Sequence, residues 1–313
     1  MAAWQPGTSQ STRCARDQLY RQIRQFFHQR QYIEVDPPLL GRAGSTDIHL
    51  HSLPAQLAEQ TFYLQTSPEF FMKRLLAAGS GPIFALTKSF RGGEQGRYHN
   101  VEFTILEWYQ PGFNDHQLMA QAGDLLQQLF ATTTRKIAYR DCFIAATGLN
   151  PHTADIKELH QCAQQFINIH SNSTDRDNCL DLIFSHCVQP ALQTATLVFD
   201  YPASQAALAK TGCNEQGEAI AHRFEVFYRG VELGNGYWEL TDSNEQAHRF
   251  VRDNQRRQGL GLPQVEADHQ LVAALAAGLP QCAGIAMGVD RLLMLQTGHD
   301  HINEVMDFPK HLL

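Results

Sequence analysis

Residues 90–110, F-R-G-G-E-Q-G-R-Y-H-N-V-E-F-T-I-L-E-W-Y-Q, constrain the fold more than any other part of this 313-residue chain. Two apolar, β-prone runs flank a loop rich in Gly, polar and basic residues. That pattern predicts a hairpin with a loop longer than a tight turn. Alternation along the second arm puts Val101, Phe103, Ile105, Glu107 and Tyr109 on one face, and Glu102, Thr104, Leu106 and Trp108 on the other. Together with Arg91 from the first arm, one face thus offers an aromatic ring, carboxylate and phenol groups and a guanidinium. Such a set can stack a planar base and neutralise a phosphate. It is equally the composition of a half-buried hairpin whose Arg and Glu residues pair with one another. Both readings stand on these residues.

Composition narrows the choices. A chain of this length buries a full-sized core, and 43% hydrophobic with 18% charged residues is ordinary for a globular protein. A net charge of −7 argues against a broad nucleic-acid-binding surface, which needs excess Lys and Arg. The seven cysteines are odd in number and contain no C-x-x-C pair, which fits a reducing compartment without disulfides or a structural zinc site. Among the fifteen histidines there is no H-E-x-x-H and no cluster with Cys. No apolar h-region opens the chain, so no signal peptide is read. Residues 271–289 are uncharged for 19 positions, yet Gly278, Pro280, Gln281, Gly284 and Gly288 interrupt them. A buried helix followed by a buried strand is expected there rather than a membrane span. The expectation is a soluble, cytoplasmic protein with no membrane partner.

Taken in order, residues 1–10 read as an irregular lead-in with Gln, Thr and Ser at its end, followed by a helix from Ser11 or Thr12, with Leu19, Ile23, Phe26 and Phe27 as its apolar stripe. It turns at Gln31 into Y-I-E-V-D-P-P-L-L, where Pro37 and Pro38 end a short strand. This rigid apolar corner suits a homodimer seam or a core edge. Residues 41–59 read as a mixed loop and 61–65 as a strand. Ser67-Pro68-Glu69 then opens a helix over 70–78, with Ser67 as N-cap, Pro68 at the first helical position and Glu69 in the first turn, favoured by the helix dipole. After the hairpin come a helix over 115–130, several short helices over 139–193 joined by polar loops such as 171–177, and a buried strand over 196–202. Residues 140–192 form, on this reading, a helical insertion in a sheet. The stretch 222–242 reads as a hairpin of 224–228 and 230–233. Gly234-Asn235-Gly236 follows as a break that allows close backbone approach, with Glu232 and Glu239 on either side. A helix over 243–258 and a strand over 284–288 turning into a helix over 292–296 complete the pattern.

No G-x-x-x-x-G-K-[ST] or G-x-G-x-x-G occurs, so a nucleotide site here has to use side chains. Arg91 and Arg291 would meet phosphates, Phe103 a base, and Glu232 and Glu239 would act through Mg2+, which takes hard carboxylate oxygens. The order of the stretches decides between the readings. Y-I-E-V-D-P-P-L-L, F-R-G-G-E…R-Y-H-N-V-E-F-T-I-L-E-W-Y and G-I-A-M-G-V-D-R resemble motifs 1, 2 and 3 of the class II aminoacyl-tRNA synthetase core. T-S-P-E-F-F-M-K-R-L-L and F-E-V-F-Y-R-G-V-E-L-G-N-G-Y-W-E-L resemble the lysyl-tRNA synthetase subgroup. The likeness runs from about residue 12 to 309. It implies an α+β fold, an antiparallel sheet flanked by helices, as a single catalytic domain over 1–313 with the helical insertion at about 140–192. A lysyl-tRNA synthetase carries an OB-fold anticodon-binding domain ahead of motif 1. Only about a dozen residues precede the first helix here, so no recognition of a tRNA anticodon is expected. The chain therefore resembles the truncated lysyl-tRNA synthetase paralogues that modify elongation factor P.

That family activates (R)-β-lysine with ATP and transfers it to the ε-amino group of a lysine on elongation factor P. By resemblance, Arg91 and Arg291 are the catalytic pair, on the α- and γ-phosphates, with Phe103 stacking adenine. Gly92, Gly93, Glu94 and Asn100 would line the nucleotide, Glu232 and Leu233 would approach it, and Gly288 would allow close backbone contact. Glu232 and Glu239 are the carboxylates expected to meet Mg2+. Ser67, Pro68, Glu69, Tyr109, Asn235 and Glu239 would surround the diamino acid, Glu69 and Glu239 pairing with its ammonium groups. Ala286 stands where the synthetases usually have glycine. Its methyl takes volume from the floor of the amino-acid pocket and can reject one placement of an α-amino group. A single methyl discriminates by about 1–3 kcal/mol. Three rivals share the fold: a compact lysyl-tRNA synthetase using L-lysine, an ammonia-dependent asparagine synthetase and a non-catalytic regulatory paralogue. The S-P-E and G-N-G-Y-W-E-L stretches argue against the second, and the retention of Arg91 and Arg291 against the third.

Overall fold

Helix α1 (Gln10–His28) begins at Ser9, whose hydroxyl accepts from the Thr12 amide at 3.1 Å, and it buries the expected stripe of Leu19, Ile23, Phe26 and Phe27. The computed structural model describes residues 4–94, 96–167 and 175–313. Two compact units emerge, Met1–Gly112 with Leu240–Leu313, and Phe113–Glu239. In the first, Gln31 takes a left-handed turn (φ 63°) into β1 (Ile33–Glu34). There follow β2 (Leu40–Gly41), β3 (Leu53–Leu57), β4 (Gln60–Leu64), α2 (Glu69–Ala77), β5 (Ile83–Phe90) and β6 (Glu102–Pro111). Strands β2, β4 and β3 make a small antiparallel sheet in that order. The mixed loop expected over 41–59 is thereby corrected, since β3 lies inside it. Pro54 reads as a strand breaker, but β3 is an edge strand, where a missing N–H costs no ladder bond. Helix α2 starts one residue earlier than expected. Pro68 occupies the cap position, and Ser67, expected as the cap, accepts from the Glu69 amide at 3.1 Å.

The opening hairpin forms as β5 and β6, antiparallel from Ile83↔Tyr109 to Phe90↔Glu102. Strand β1 lies parallel to β5 on one side. The chain returns to this unit with α7 (Ser243–Gly259), α8 (His269–Gly278), β12 (Cys282–Gly288) and α9 (Val289–Thr297), and β12 pairs antiparallel with β6. The uncharged run 271–289 is thus a helix and a strand, and no helix among the described residues is long and apolar enough to cross a membrane. Helices α1 and α9 seal the face of the sheet bearing Phe84, Leu86, Leu106 and Trp108. Phe27 stacks on Phe84 at 4.7 Å and meets Trp108 at 5.0 Å. Asp290 of α9 accepts from the Thr104 amide at 2.7 Å and pairs with Arg16 of α1 at 2.7 Å. Buried rings of this kind each remove ~150–250 Å² from water. Sealing one face fixes the register of the other, which carries Phe103, Glu107, Tyr109 and Ala286.

The second unit opens with α3 (Asp115–Phe130), closed at its start by an Asn114–Gln117 capping box. It continues with β7 (Arg135–Ala138), α4 (Tyr139–Thr147), α5 (Ile156–Ile167), α6 (Arg176–Ile183), a π-helical turn at Phe184–Val188, β8 (Thr196–Pro202), β9 (Thr211–Cys213), β10 (Ala219–Tyr228) and β11 (Val231–Trp238). The order β7-β8-β10-β11 is antiparallel except for β7 with β8, and β9 pairs with β10. The helices expected over 140–192 pack on this sheet: Tyr139 stacks on Phe184 at 4.9 Å, and Phe184 meets Phe227 at 5.7 Å. Part of the loop expected at 171–177 lies outside the described residues. Strands β10 and β11 join through Arg229-Gly230, both at positive φ, as a two-residue hairpin turn requires.

The break expected at Gly234-Asn235-Gly236 is not there. These residues pair regularly with Val226, Glu225 and Phe224, so the ladder overrides the local glycine signal. The irregularity sits just before them. Val226 pairs with Gly234 and Phe227 with Glu232, which leaves Leu233 as the extra residue of a bulge.

Candidate active site

Register brings the amino-acid-binding candidates of the first unit together. Glu107, in β6, is 1% exposed and faces Ala85 of β5 on one side and Ala286 of β12 on the other. Directly opposed residues share a face, so the Ala286 methyl lies beside the Glu107 side chain. The Ser67 hydroxyl donates to one carboxylate oxygen at 2.7 Å and the Tyr109 phenol to the other at 2.6 Å. Glu69, in the first turn of α2, accepts from the ammonium of Lys73, which is itself 1% exposed, at 2.6 Å. Pro68 sets the start of α2 and so spaces Ser67 from Glu69. Burial and the charge of Glu69 push the Glu107 carboxyl up to about 7, against the hydrogen bonds from Tyr109 and Ser67. A buried and a half-buried carboxylate beside one ammonium leave room for one further cation. Glu107 and Lys73 were not singled out by sequence as site residues, although the alternation that marks Tyr109 also marks Glu107.

The phosphate-binding candidates bracket the loop between β5 and β6. Arg91, at its start, donates from Nε to the Thr66 carbonyl at 3.2 Å. Its guanidinium lies 5.2 Å from the centre of the Phe103 ring and 3.6 Å from Glu94. Gly92 donates to the His51 carbonyl at 2.7 Å, and a Cβ there would come within 3.2 Å of that oxygen. Gly93 follows at φ 79°. Near the end of the loop, Arg291 of α9 donates to the Tyr98 carbonyl at 3.1 Å and lies 2.8 Å from His99 Nε2. A guanidinium has no acceptor, so His99 accepts at Nε2. Asn100 is buried, donating to the Glu102 carbonyl at 2.7 Å and accepting from the Lys310 amide at 3.1 Å; it shapes the loop. Gly288 caps α9, and a Cβ there would meet only the side chain of Arg291, at 3.5 Å.

In the second unit, the extra residue Leu233 resets the alternation, so Glu232 shares a face with Asn235, Tyr237 and, across the hairpin, Arg223 and Glu225. Arg223 donates to Asn235 at 3.2 Å, and Asn235 to the Tyr237 oxygen at 2.9 Å. Glu225 accepts from Tyr201 at 2.7 Å and pairs with Arg223. Burial raises its carboxyl to about 7; Arg223 lowers it, and the charge of Glu232 raises it. Glu239 is fully buried one residue beyond β11, where it bridges to Ala209. Along a strand it stands roughly 20 Å from Glu232. The bend expected between Glu232 and Glu239 is absent, and across the hairpin Glu232 shares its face with Glu225. Sequence reasoning missed Glu225 because the bulge that aligns the two is invisible in residue order.

Residues 5–312 match the family of tRNA synthetases class II (D, K and N). Among curated proteins, the chain is 45% identical over 319 residues to an elongation factor P–(R)-β-lysine ligase of Vibrio atlanticus (strain LGP32), covering 98% of each. It is 45% identical over 314 residues to the ligase of the same name from Pasteurella multocida (strain Pm70), covering 97% of each. For that of Pseudoalteromonas translucida (strain TAC 125) the identity is 46% over 316 residues, again 97% of each.

Proposed function

The chain belongs to the class II tRNA synthetases of the D, K and N group and is a ligase, and from that premise we propose that it activates (R)-β-lysine with ATP and joins it to a lysine ε-amino group of elongation factor P. The likeness along the whole chain to several ligases of that name is the observation that carries this reading. In the first step a substrate carboxylate oxygen attacks the α-phosphorus of ATP, and the bond to pyrophosphate breaks. In the second, the acceptor amine attacks the acyl carbon, AMP leaves, and the amine gives up a proton. Attacking and leaving groups in the first step are both anionic, so the protein contributes positioning and charge neutralisation. Arg91, at the start of the β5–β6 loop, and Arg291 of α9, held against Tyr98 and His99 near its end, suit the α- and γ-phosphates, and Phe103 suits adenine. Gly92, Gly93, Glu94, Asn100, Leu233 and Gly288 shape the nucleotide's surroundings.

Glu69 and Glu107, with Ser67, Tyr109 and Ala286 around them, supply the carboxylate end for a diamino acid; Asn235 and Glu239 are assigned to the same substrate. Glu225 and Glu232 lie on one face of the β10–β11 hairpin, a hard donor set that suits Mg2+, and the ion would neutralise charge on the triphosphate. The exposed Ile33, Leu39 and Leu40 flank Pro37-Pro38, which supports a homodimer through this corner. The same reading makes residues 1–313 one catalytic domain, cytoplasmic, with no anticodon to read.

ATP–pyrophosphate exchange with L-lysine and (R)-β-lysine, followed by transfer to elongation factor P or to lysine tRNA, tests the proposal. Exchange with (R)-β-lysine and labelling of elongation factor P are expected. Exchange with neither amino acid would overturn the activation step, and charging of tRNA in place of elongation factor P would overturn the acceptor. The Ala286 methyl beside Glu107 gives a sharper expectation. Ala286→Gly raises use of L-lysine relative to (R)-β-lysine by roughly 10- to 200-fold, the reach of one methyl. An unchanged ratio removes the methyl from the account of specificity.

A further inference from the structure

A second group of ligating side chains lies in the 113–239 unit, apart from every residue assigned above. Asp115 stands at the start of α3, Asp200 in β8 and His222 in β10, and one ligand atom from each lies within 4.8 Å of the others. A second bulge assembles them. Ala221 pairs with Tyr201 and Phe224 with Phe199, so His222 and Arg223 together oppose Asp200 alone. Asp200 takes a left-handed backbone, φ 58°, which places it beside His222 instead of in the regular pleat.

The imidazole is oriented from both ends. Its Nε2 side faces Gly212 of β9, where a Cβ would come within 2.7 Å, and its ring meets Trp238 edge-on at 5.0 Å. Only a glycine lets the ring sit there. Nδ1 is thereby aimed at Asp115, 3.2 Å from Oδ2, while the other oxygen of that 2%-exposed carboxylate accepts from the His116 amide at 3.1 Å. A separation of 3.2 Å suits a neutral N–H···O bond, and it also suits two ligands on one ion when each bond is about 2.0–2.1 Å and the angle near tetrahedral. Two like-charged carboxylates are also held together. An imidazole and two carboxylates converging from three separate elements are a donor set for a cation, and the nitrogen selects against Mg2+.

We propose that Asp115, Asp200 and His222 bind one divalent transition-metal ion, zinc the best match, with water completing the coordination. The ion clips the start of α3 to the bulged pair of β8 and β10. Asp200 adjoins Tyr201 and His222 adjoins Arg223, the two residues that hold Glu225, so the clip steadies that carboxylate as well.

Full-length protein stripped by chelator is dialysed against Zn2+ in excess Mg2+, and bound zinc is counted by atomic emission. Wild type is expected to retain one equivalent more than His222→Ala or Asp200→Asn, with at least tenfold weaker binding in each variant. Co2+ added to stripped wild type is expected to give visible absorption bands of a low-symmetry N/O site, which needs no variant to fold. Equal zinc in wild type and both variants places the metal elsewhere and overturns the proposal. So does the absence of cobalt bands in the wild type.

Discussion

Arg91→Ala lowers ATP–pyrophosphate exchange by about a thousandfold, the scale on which a single cationic group at a transferring phosphoryl centre acts. The Arg91 side chain touches little that the fold needs: one backbone carbonyl at 3.2 Å, Glu94 at 3.6 Å and the face of Phe103. Surface-type pairs of this sort are worth about 0–1 kcal/mol, so the thermal midpoint and circular dichroism should hardly change. Arg91→Lys separates charge from shape. A lysine restores the positive charge but cannot lie flat on Phe103 or present a fork of donors, so it recovers only part of the lost rate. Single-turnover formation of adenylate, measured beside exchange, distinguishes loss of chemistry from loss of ATP binding. A drop of less than tenfold in the alanine variant removes Arg91 from the reacting phosphate.

The Arg91–Phe103 contact was legible in the sequence because strand alternation has a fixed period of two, and both residues lie at consistent positions on paired arms. Helix α3 lies over the residues expected for it, 115–130, and Asn114 closes its start. Chemistry that depends on a skipped residue was not legible. The Glu225–Glu232 pair exists only because Leu233 is an extra residue in β11, and the Asp200–His222 pair only because two residues of β10 oppose one of β8. A bulge is chosen by the partner strand and by packing, neither of which residue order contains. Strand β3 lies inside the expected loop, and it tolerates Pro54 because an edge strand needs fewer ladder bonds. Glu107 is a different kind of omission. Its position on the site face was readable, but its burial between Ala85 and Ala286 comes from the neighbouring strands.

That burial makes Glu107→Gln the most diagnostic substitution, because stability and activity should move in opposite directions. The native carboxyl titrates at about 7 against an ordinary value of 4.5. Between those two pH values the native state holds a proton that the unfolded chain has released. Stability therefore falls as pH rises from 4.5 towards 7 and levels off above it. Holding that proton from 4.5 up to about 7 corresponds to an upper bound of about 3 kcal/mol at pH 8. Gln carries no charge to desolvate, so the variant should unfold at higher denaturant than wild type at pH 8, with the difference vanishing by pH 4. The Ser67 and Tyr109 hydroxyls both donate to the carboxylate, and one must turn to accept from the Gln amide, which reduces the gain without reversing it. Activity moves the other way. A substrate ammonium needs the ionised carboxylate, and losing a charge-assisted bond at a buried site costs about one to two orders of magnitude in kcat/KM for the lysine substrate. Wild-type kcat/KM should rise with pH through about 7, and in Glu107→Gln that limb should disappear. Equal loss of stability and activity at pH 8 would mean that Glu107 is a structural acid held by its two hydroxyls. A more stable, inactive variant with a flat profile identifies a carboxylate kept buried, at a cost to the fold, to receive the substrate's charge.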